Sequence, residues 1–296
     1  MNNCVSILLP TFNRASILPD CVNSLYAQSY INWELVICDD CSDDNTQTIV
    51  KEFQEQDARI RYFKNPGRYG LHKSRNELIA VAKGDLVFFI EDDIILEPDS
   101  IQILVETYYS FNKDGYKVGA VTPSLVQVNK QNQVAFQRKL FDYIKDLRFK
   151  GMVEPCKIDH LTGLISNNYS PHFETVQEVV DIHAVSLYPR SVFTEEGGFE
   201  EAVYKGNYMF AEAEYNFKLR KKGYKLLFAP KSIVYHYTFP SGGCRLPFMS
   251  YAYYSVRNQI LYTARNYGLR ALYMLPSFMA FMGMVLVIYL FRRGNV

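Results

Sequence analysis

Apolar and polar positions along the first 125 residues change places with a regular beat. Residues 5–9 form a short apolar run closed by Pro10. Residues 15–28 then set Ile17, Leu18, Cys21, Val22, Leu25 and Tyr26 at the spacing of one helical face. The beat continues with a strand over 35–38, a helix over 46–53, a strand over 60–63, a helix over 71–82 and a strand over 86–90. Strands alternating with helices through short connections predict an α/β fold, a mostly parallel sheet flanked by helices on both faces. Ligands of such sheets bind beyond the carboxyl ends of the strands.

The beat fades after residue 126. Residues 129–133 (NKQNQ) and 166–172 (SNNYSPH) read as loops, and strands over 179–187 and 226–229 flank a basic helix over 212–222. Residues 271–291 differ again, with no charge over the whole run and Arg292 and Arg293 at its end. At ~1.5 Å per residue, a helix of that length covers a hydrocarbon core roughly 30 Å thick. Just before it, Arg257, Arg265 and Arg270 stand among aromatic and aliphatic residues, the composition of an interfacial helix. The expected organisation is a regular half over 1–125, a less regular, substrate-shaping half over 126–244 and a membrane-associated region over 245–296. Spanning and shallow insertion both remain open.

Composition narrows the field. With 32 Lys and Arg against 31 Asp and Glu, the net charge of +1 gives no reason to expect a nucleic-acid partner. The six cysteines are scattered, and the pair Cys38 and Cys41 has two aspartates between it and no second pair at metal spacing. They are expected to be reduced, with the bulk of the chain on the cytoplasmic side of a membrane.

Three strand ends carry the chemistry: LLPTFNR, VICDDCSDD and FFIEDDI. Parallel strands bring these ends to one edge, which explains three adjacent carboxylates after a core strand. No G-x-G-x-x-G follows the first strand and no G-x-x-x-x-G-K-[ST] occurs, against a dinucleotide oxidoreductase and a P-loop NTPase. A Glu-x-Asp at a strand end can hold a divalent cation whose remaining positions go to water and substrate phosphates.

Taken together, VSILLPTFNR, WELVICDDCSDD, GLHKSRNELIAVAKGDLVFFIEDDIILEPDS, GGFEE and EAEYNFKLRKKGYKL resemble glycosyltransferase family 2, over roughly residues 3–240. The resemblance implies the GT-A (Rossmann-like) fold, Mg²⁺ or Mn²⁺, and inverting transfer of a sugar from a nucleoside diphosphate to an acceptor hydroxyl. It places Pro10 and Thr11 along the nucleoside. It gives Asp39 and Asp40 as the acid pair of which one meets the base, Asp40 being favoured. Arg75 falls near the donor, with Gly70 shaping its loop. Asp93 is implied as metal ligand, Glu91 as the other signature acid, and Asp92 as facing either ribose or metal. Glu212 takes the general-base position, followed by Glu214, where burial would raise the carboxyl pKa. His236 is implied as metal ligand or phosphate donor, and GGFEE as an acceptor-side loop.

The resulting expectation is a membrane-associated inverting glycosyltransferase using a UDP- or GDP-sugar. Its acceptor is expected on a lipid-linked or cell-surface glycan. The competing readings are a metal-dependent nucleotidyltransferase, for which PTFNRAS lacks a phosphate-cradling loop, and a non-catalytic membrane-bound scaffold of the same fold.

Overall fold

The computed structural model describes residues 4–128, 148–237, 243–244 and 246–293. The expected NKQNQ loop lies outside these residues.

The amino-terminal alternation folds as its pattern dictates. Strand β1 (Val5–Thr11), helix α1 (Leu18–Tyr26), β2 (Trp33–Asp39), α2 (Thr46–Gln56), β3 (Ile60–Lys64), α3 (Leu71–Val81) and β4 (Leu86–Phe89) follow one another. In α1 the residues spaced for one face, Leu18, Cys21, Val22 and Leu25, are the buried ones. Every residue of β1, β2 and β4 is buried, the signature of strands covered on both faces. There follow β5 (Ile94–Leu96), α4 (Ser100–Lys113), β6 (Val118–Val128), the hairpin β7 (Cys156–Ile158) and β8 (Ile165–Asn167), β9 (Gln177–Glu178) and β10 (Ser186–Pro189). The chain closes with α5 (Ser191–Glu196), α6 (Ala211–Lys221), β11 (Lys225–Tyr237), α7 (Phe248–Asn266) and α8 (Ala271–Arg293).

One nine-stranded sheet runs β3-β2-β1-β4-β10-β6-β11-β5, with β9 beside β11. The pairs β2·β3, β1·β2, β1·β4 and β6·β11 are parallel, while β10, β5 and β9 run against their neighbours. The sheet is therefore mostly parallel, as expected, and both halves of the chain contribute strands to it. Helices cover both faces over two cores. One holds Leu18, Leu25, Ile101 and Leu104; the other holds Leu78, Val192 and Leu219 around Phe89, Phe193 and Phe199.

The expected strand over 179–187 is not formed as such. Pairing stops at Glu178 and resumes at Ser186. Between them Asp181 accepts a hydrogen bond from Asn216 of α6 (2.7 Å), and His183 engages the Pro123 carbonyl (2.9 Å). A buried carboxylate must be hydrogen-bonded, and that need pulls the segment away from a ladder. The SNNYSPH stretch, expected as a loop, gives its first two residues to β8. The strand expected over 226–229 is the start of β11, which bulges between Ala229 and Ile233 and continues to Tyr237.

A candidate donor and metal site at the sheet edge

The carboxyl ends of β1, β2 and β4 open into a cleft of about 450 Å³. Pro10, Thr11, Arg14 and Asp40 line one side, and Glu91, Asp92, Asp93 and His236 its floor. Tyr208, Met209 and Tyr251 face them from the other half of the chain.

Asp40 organises the strand-end side of the cleft. Its carboxylate accepts the backbone N–H groups of Tyr69 (2.7 Å) and Gly70 (2.9 Å), with Asn65 Nδ2 at 3.2 Å. These bonds fix the turn into α3. Gly70 there has φ of 88°, and any Cβ would strike the Tyr208 hydroxyl, so only glycine fits. Asp39 lies deeper and holds Ser42 N–H (2.7 Å) and the Tyr62 hydroxyl (2.8 Å). Of the two aspartates, only Asp40 borders the cleft.

The acidic triplet occupies the turn from β4 into β5, and the structure divides its members. Asp92 accepts a hydrogen bond from Thr11 Oγ1 (2.8 Å) and lies 3.4 Å from Arg14 Nε. Burial pushes its carboxyl up to about 7; Arg14 pulls the other way, and the Asp93 charge adds to the rise. Glu91 is raised by desolvation first and by Asp93 second. Asp93 Oδ1 lies 3.3 Å from His236 Nε2. The antiparallel pairing of β5 with β11 sets His236 opposite Ile94, next to the triplet, although the two are far apart in sequence.

One ligand atom from each of Glu91, Asp93 and His236 falls within 4.8 Å of the others. Two carboxylates and an imidazole suit a divalent cation of the Mg²⁺ or Mn²⁺ class, leaving positions for water and phosphate. Like charges raising one another's pKa mark a place where a cation is favoured. The residues present therefore fit a metal. Arg14, buried beside them, has no hydrogen-bond partner for Nε or Nη1 among the described residues. Such a cation facing a cleft is suited to phosphate oxygens.

Arg75 sits under the cleft rather than along it, 1 % exposed. Its guanidinium bonds Glu212 Oε1 and lies 3.8 Å from Glu91. Phe89 and Phe199 flank it at 5.5 and 5.8 Å. This buried cation overturns the expectation that burial raises the Glu212 pKa. Desolvation does push upward and is the largest single influence, but Arg75 and His72 together bring the carboxyl below the ordinary glutamate value.

Glu212 begins α6, and the loop leading to it is strained. Tyr208 and Phe210 have φ of 55° and 74°, values that cost free energy for non-glycine residues. The loop is clamped from α7: Asn207 Nδ2 donates to Ser255 Oγ (2.8 Å) and the Tyr251 carbonyl (3.3 Å), and Asn258 Nδ2 to the Lys205 carbonyl (3.1 Å). Glu214 is held by Arg265 of the same helix at 2.6 Å. The GGFEE loop docks on α3, where Asn76 exchanges hydrogen bonds with both Phe199 backbone groups. A Cβ at Gly198 would collide with the Asn76 amide.

The sequence-based site residues thus fall into three places: Pro10, Thr11, Asp40, Asp92 and the Glu91–Asp93–His236 cluster in the cleft, Asp39 behind it, and Arg75 with Glu212 beneath. Sequence reasoning missed Arg14 and the wall of Tyr208, Met209 and Tyr251. Arg14 was visible in PTFNR as a basic residue at a strand end; the wall had no local signal.

Comparison with known proteins bears on the family and the fold. The model of the family described as Glycosyl transferase family 2 matches residues 6–169, more than half of the chain. A glucosyltransferase of Campylobacter jejuni, GalNAc(5)-diNAcBac-PP-undecaprenol beta-1,3-glucosyltransferase, is 32% identical over 103 residues, 34% of this chain and 33% of that one. Escherichia coli WfgD, a UDP-Glc:alpha-D-GlcNAc-diphosphoundecaprenol beta-1,3-glucosyltransferase, is 31% identical over 118 residues, 38% of this chain and 46% of that one. The matched stretch spans a third to a half of these relatives' length. Among solved structures, S. aureus TarS in complex with UDP-GlcNAc superposes with a TM-score of 0.59 at 15% identity, covering 93% of this chain and 71% of that one. GalNAc-T7 with UDP, GalNAc and Mn²⁺ gives 0.63 at 17% identity, covering 82% and 45%. These likenesses show the GT-A fold.

Proposed function

The chain belongs to glycosyl transferase family 2, and from that premise we propose that it is an inverting transferase that moves a sugar from a UDP- or GDP-sugar to an acceptor hydroxyl. The observation that carries the reading is the convergence of Glu91, Asp93 and His236 at the floor of a cleft, with Thr11, Arg14 and Asp40 along its donor side.

In this reading Pro10, Thr11 and Asp40 receive the nucleoside, and Arg14, ion-paired with Asp92 and Asp93, offers Nη1 to the diphosphate. Bound Mg²⁺ or Mn²⁺, held by Glu91, Asp93 and His236, would supply Lewis-acid charge for the departing diphosphate. Glu212 accepts the proton of the acceptor hydroxyl as its oxygen attacks the anomeric carbon and the carbon–oxygen bond to the diphosphate breaks on the opposite face. Arg75 keeps Glu212 ionised, and therefore able to accept a proton, across the neutral range. Two relatives named for undecaprenol-linked substrates support a lipid-linked or cell-surface glycan as acceptor. The apolar stretch Gly268–Val285, long enough to cross a membrane, supports membrane attachment. Six free thiols support a catalytic region on the cytoplasmic side.

The test is a panel of nucleotide sugars with purified protein, scored by released nucleoside diphosphate with Mn²⁺, with Mg²⁺ and with EDTA. Release from one donor class that EDTA abolishes is the expected result. Nucleotide binding without any turnover would replace the reading with that of a non-catalytic scaffold.

A further inference from the structure

Helix α7 is built inside out. Its buried stripe is polar: Ser255, Asn258, Gln259 and Thr263, with Tyr262 among them. Asn258 and Ser255 hold the 205–207 loop, and Gln259 donates to the Gly163 carbonyl (3.0 Å). The outward stripe at spacings of three and four is Met249, Tyr253, Val256, Ile260 and Ala264, all apolar. Met249 is 75% exposed and Tyr253 62%. A water-facing helix has the reverse arrangement.

Helix α8 adds to the same apolar surface. Ala271, Met274, Phe278, Phe281 and Val285 recur every three or four residues and are buried against the chain, packing beside Leu164 and Gly163. Leu272, Tyr273, Met279 and Met284 remain outside. Polar groups of the domain accompany the buried stripe: the Arg148 guanidinium lies 5.8 Å from the Phe281 ring and is paired bidentately with Asp159 at 2.7 Å. An upright α8 crossing a bilayer would carry that ion pair into hydrocarbon, at a cost of several kcal/mol. Charge points the same way. The two helices and the turn between them hold no acid, and no Asp or Glu follows Glu214 anywhere in the sequence. Of their arginines, Arg265 pairs with Glu214 and Glu200 and Arg257 donates to the Val203 carbonyl, while Arg270 in the turn is exposed.

We propose that α7 and α8 lie in the plane of an anionic lipid surface, sinking their outward apolar faces to the acyl boundary, where exposed Arg270 and the absence of acids from both helices favour anionic headgroups. The proposal rests on the membrane attachment in the reading above and deepens it. Tyr251, between Met249 and Tyr253, lines the cleft, and Asn207, held by α7, belongs to its wall. The same helix therefore meets lipid on one side and shapes the acceptor entrance on the other. A hydroxyl carried on a lipid arrives at the cleft without leaving the surface.

The test uses the full chain on vesicles of phosphatidylcholine with and without phosphatidylglycerol. Single Tyr273→Trp and Met284→Trp variants report depth by quenching with shallow and deep doxyl lipids, over the constant background of buried Trp33. The two positions lie on one face, eleven residues or ~16 Å apart along the helix, about half a hydrocarbon core. In-plane docking predicts equal, shallow quenching at both and at least tenfold stronger binding to the anionic vesicles. Deep quenching at one position only would overturn the in-plane arrangement while leaving membrane attachment intact. No binding to either vesicle would overturn both, as would a dimer in light scattering that Met249→Glu with Tyr253→Glu returns to monomer. On vesicles that pair of substitutions lowers binding tenfold or more, with thermal unfolding unchanged because both side chains are exposed. Neither is needed to observe nucleotide-sugar turnover in detergent, so failure of the transferase reading registers separately.

Discussion

The two walls of the cleft are made in opposite ways. The strand-end wall, proposed above to take the donor and called the donor wall, is a product of backbone: β1, β2 and β4 are parallel and fully buried, so their polar ends meet wherever the strands stop. The facing wall, proposed to take the acceptor, is a product of side chains. Its loop carries two left-handed non-glycine residues and is held by Asn207, Asn258 and Arg265 reaching between segments some fifty residues apart. A ladder of hydrogen bonds under a hydrophobic sheet tolerates exchange of its surface residues. A loop held by a few amide contacts does not, because each lost bond strands a buried partner.

That contrast can be broken most severely at its shared floor. Asp93→Ala removes the acid that touches His236 and should lower kcat/KM by ~10³ or more, about 4 kcal/mol of transition-state stabilisation, in a diphosphate-release assay with saturating Mn²⁺. Undiminished activity there would place the metal elsewhere. Truncating the core beneath, Phe89→Ala, should cost about 3–5 kcal/mol in denaturant unfolding, since its ring packs against Tyr188, Phe193 and Phe199 at once. Glu212→Gln should reduce kcat ~10²–10⁴-fold while nucleotide-sugar affinity, measured by calorimetry, stays constant. Loss of donor affinity instead would assign Glu212 to the donor wall.

Smaller effects separate the walls more finely. Asn258→Ala should cost ~1–3 kcal/mol of loop stability and appear as a raised KM for acceptor with donor KM unchanged. The pH profile gives the gentlest probe. Because Glu212 is held below the ordinary glutamate value, its ionised form persists to lower pH, and kcat should fall only as pH drops through that depressed value. With Arg75→Met the attraction is gone and burial dominates, so the acid limb should move to higher pH. A limb that stays in place would show that another group limits the rate.

How far each wall could be read in advance follows from its construction. The strand ends of the donor wall and their acids were legible because period and burial are local properties of a strand–helix repeat. The run over 179–187 misled because its apolar residues bracket Asp181 and His183, whose partners Asn216 and Pro123 lie outside any local window. The same blindness hid Arg75. Its position in α3 was visible, but its burial between Glu91 and Glu212 depends on three separate elements meeting.

The sequence by itself determined the parallel repeat, the edge at which its acids emerge and the apolar carboxyl-terminal run. Local periodicity and strand direction suffice for those. Only the tertiary structure decided that β5 would pair with β11 and bring His236 to Asp93, and that Arg75 would lie against Glu212 and reverse the rise expected from burial. It alone decided that α7 would turn its polar side inward. Each of these depends on which distant groups share a low-dielectric interior, where a single neighbour outweighs everything the adjacent residues imply.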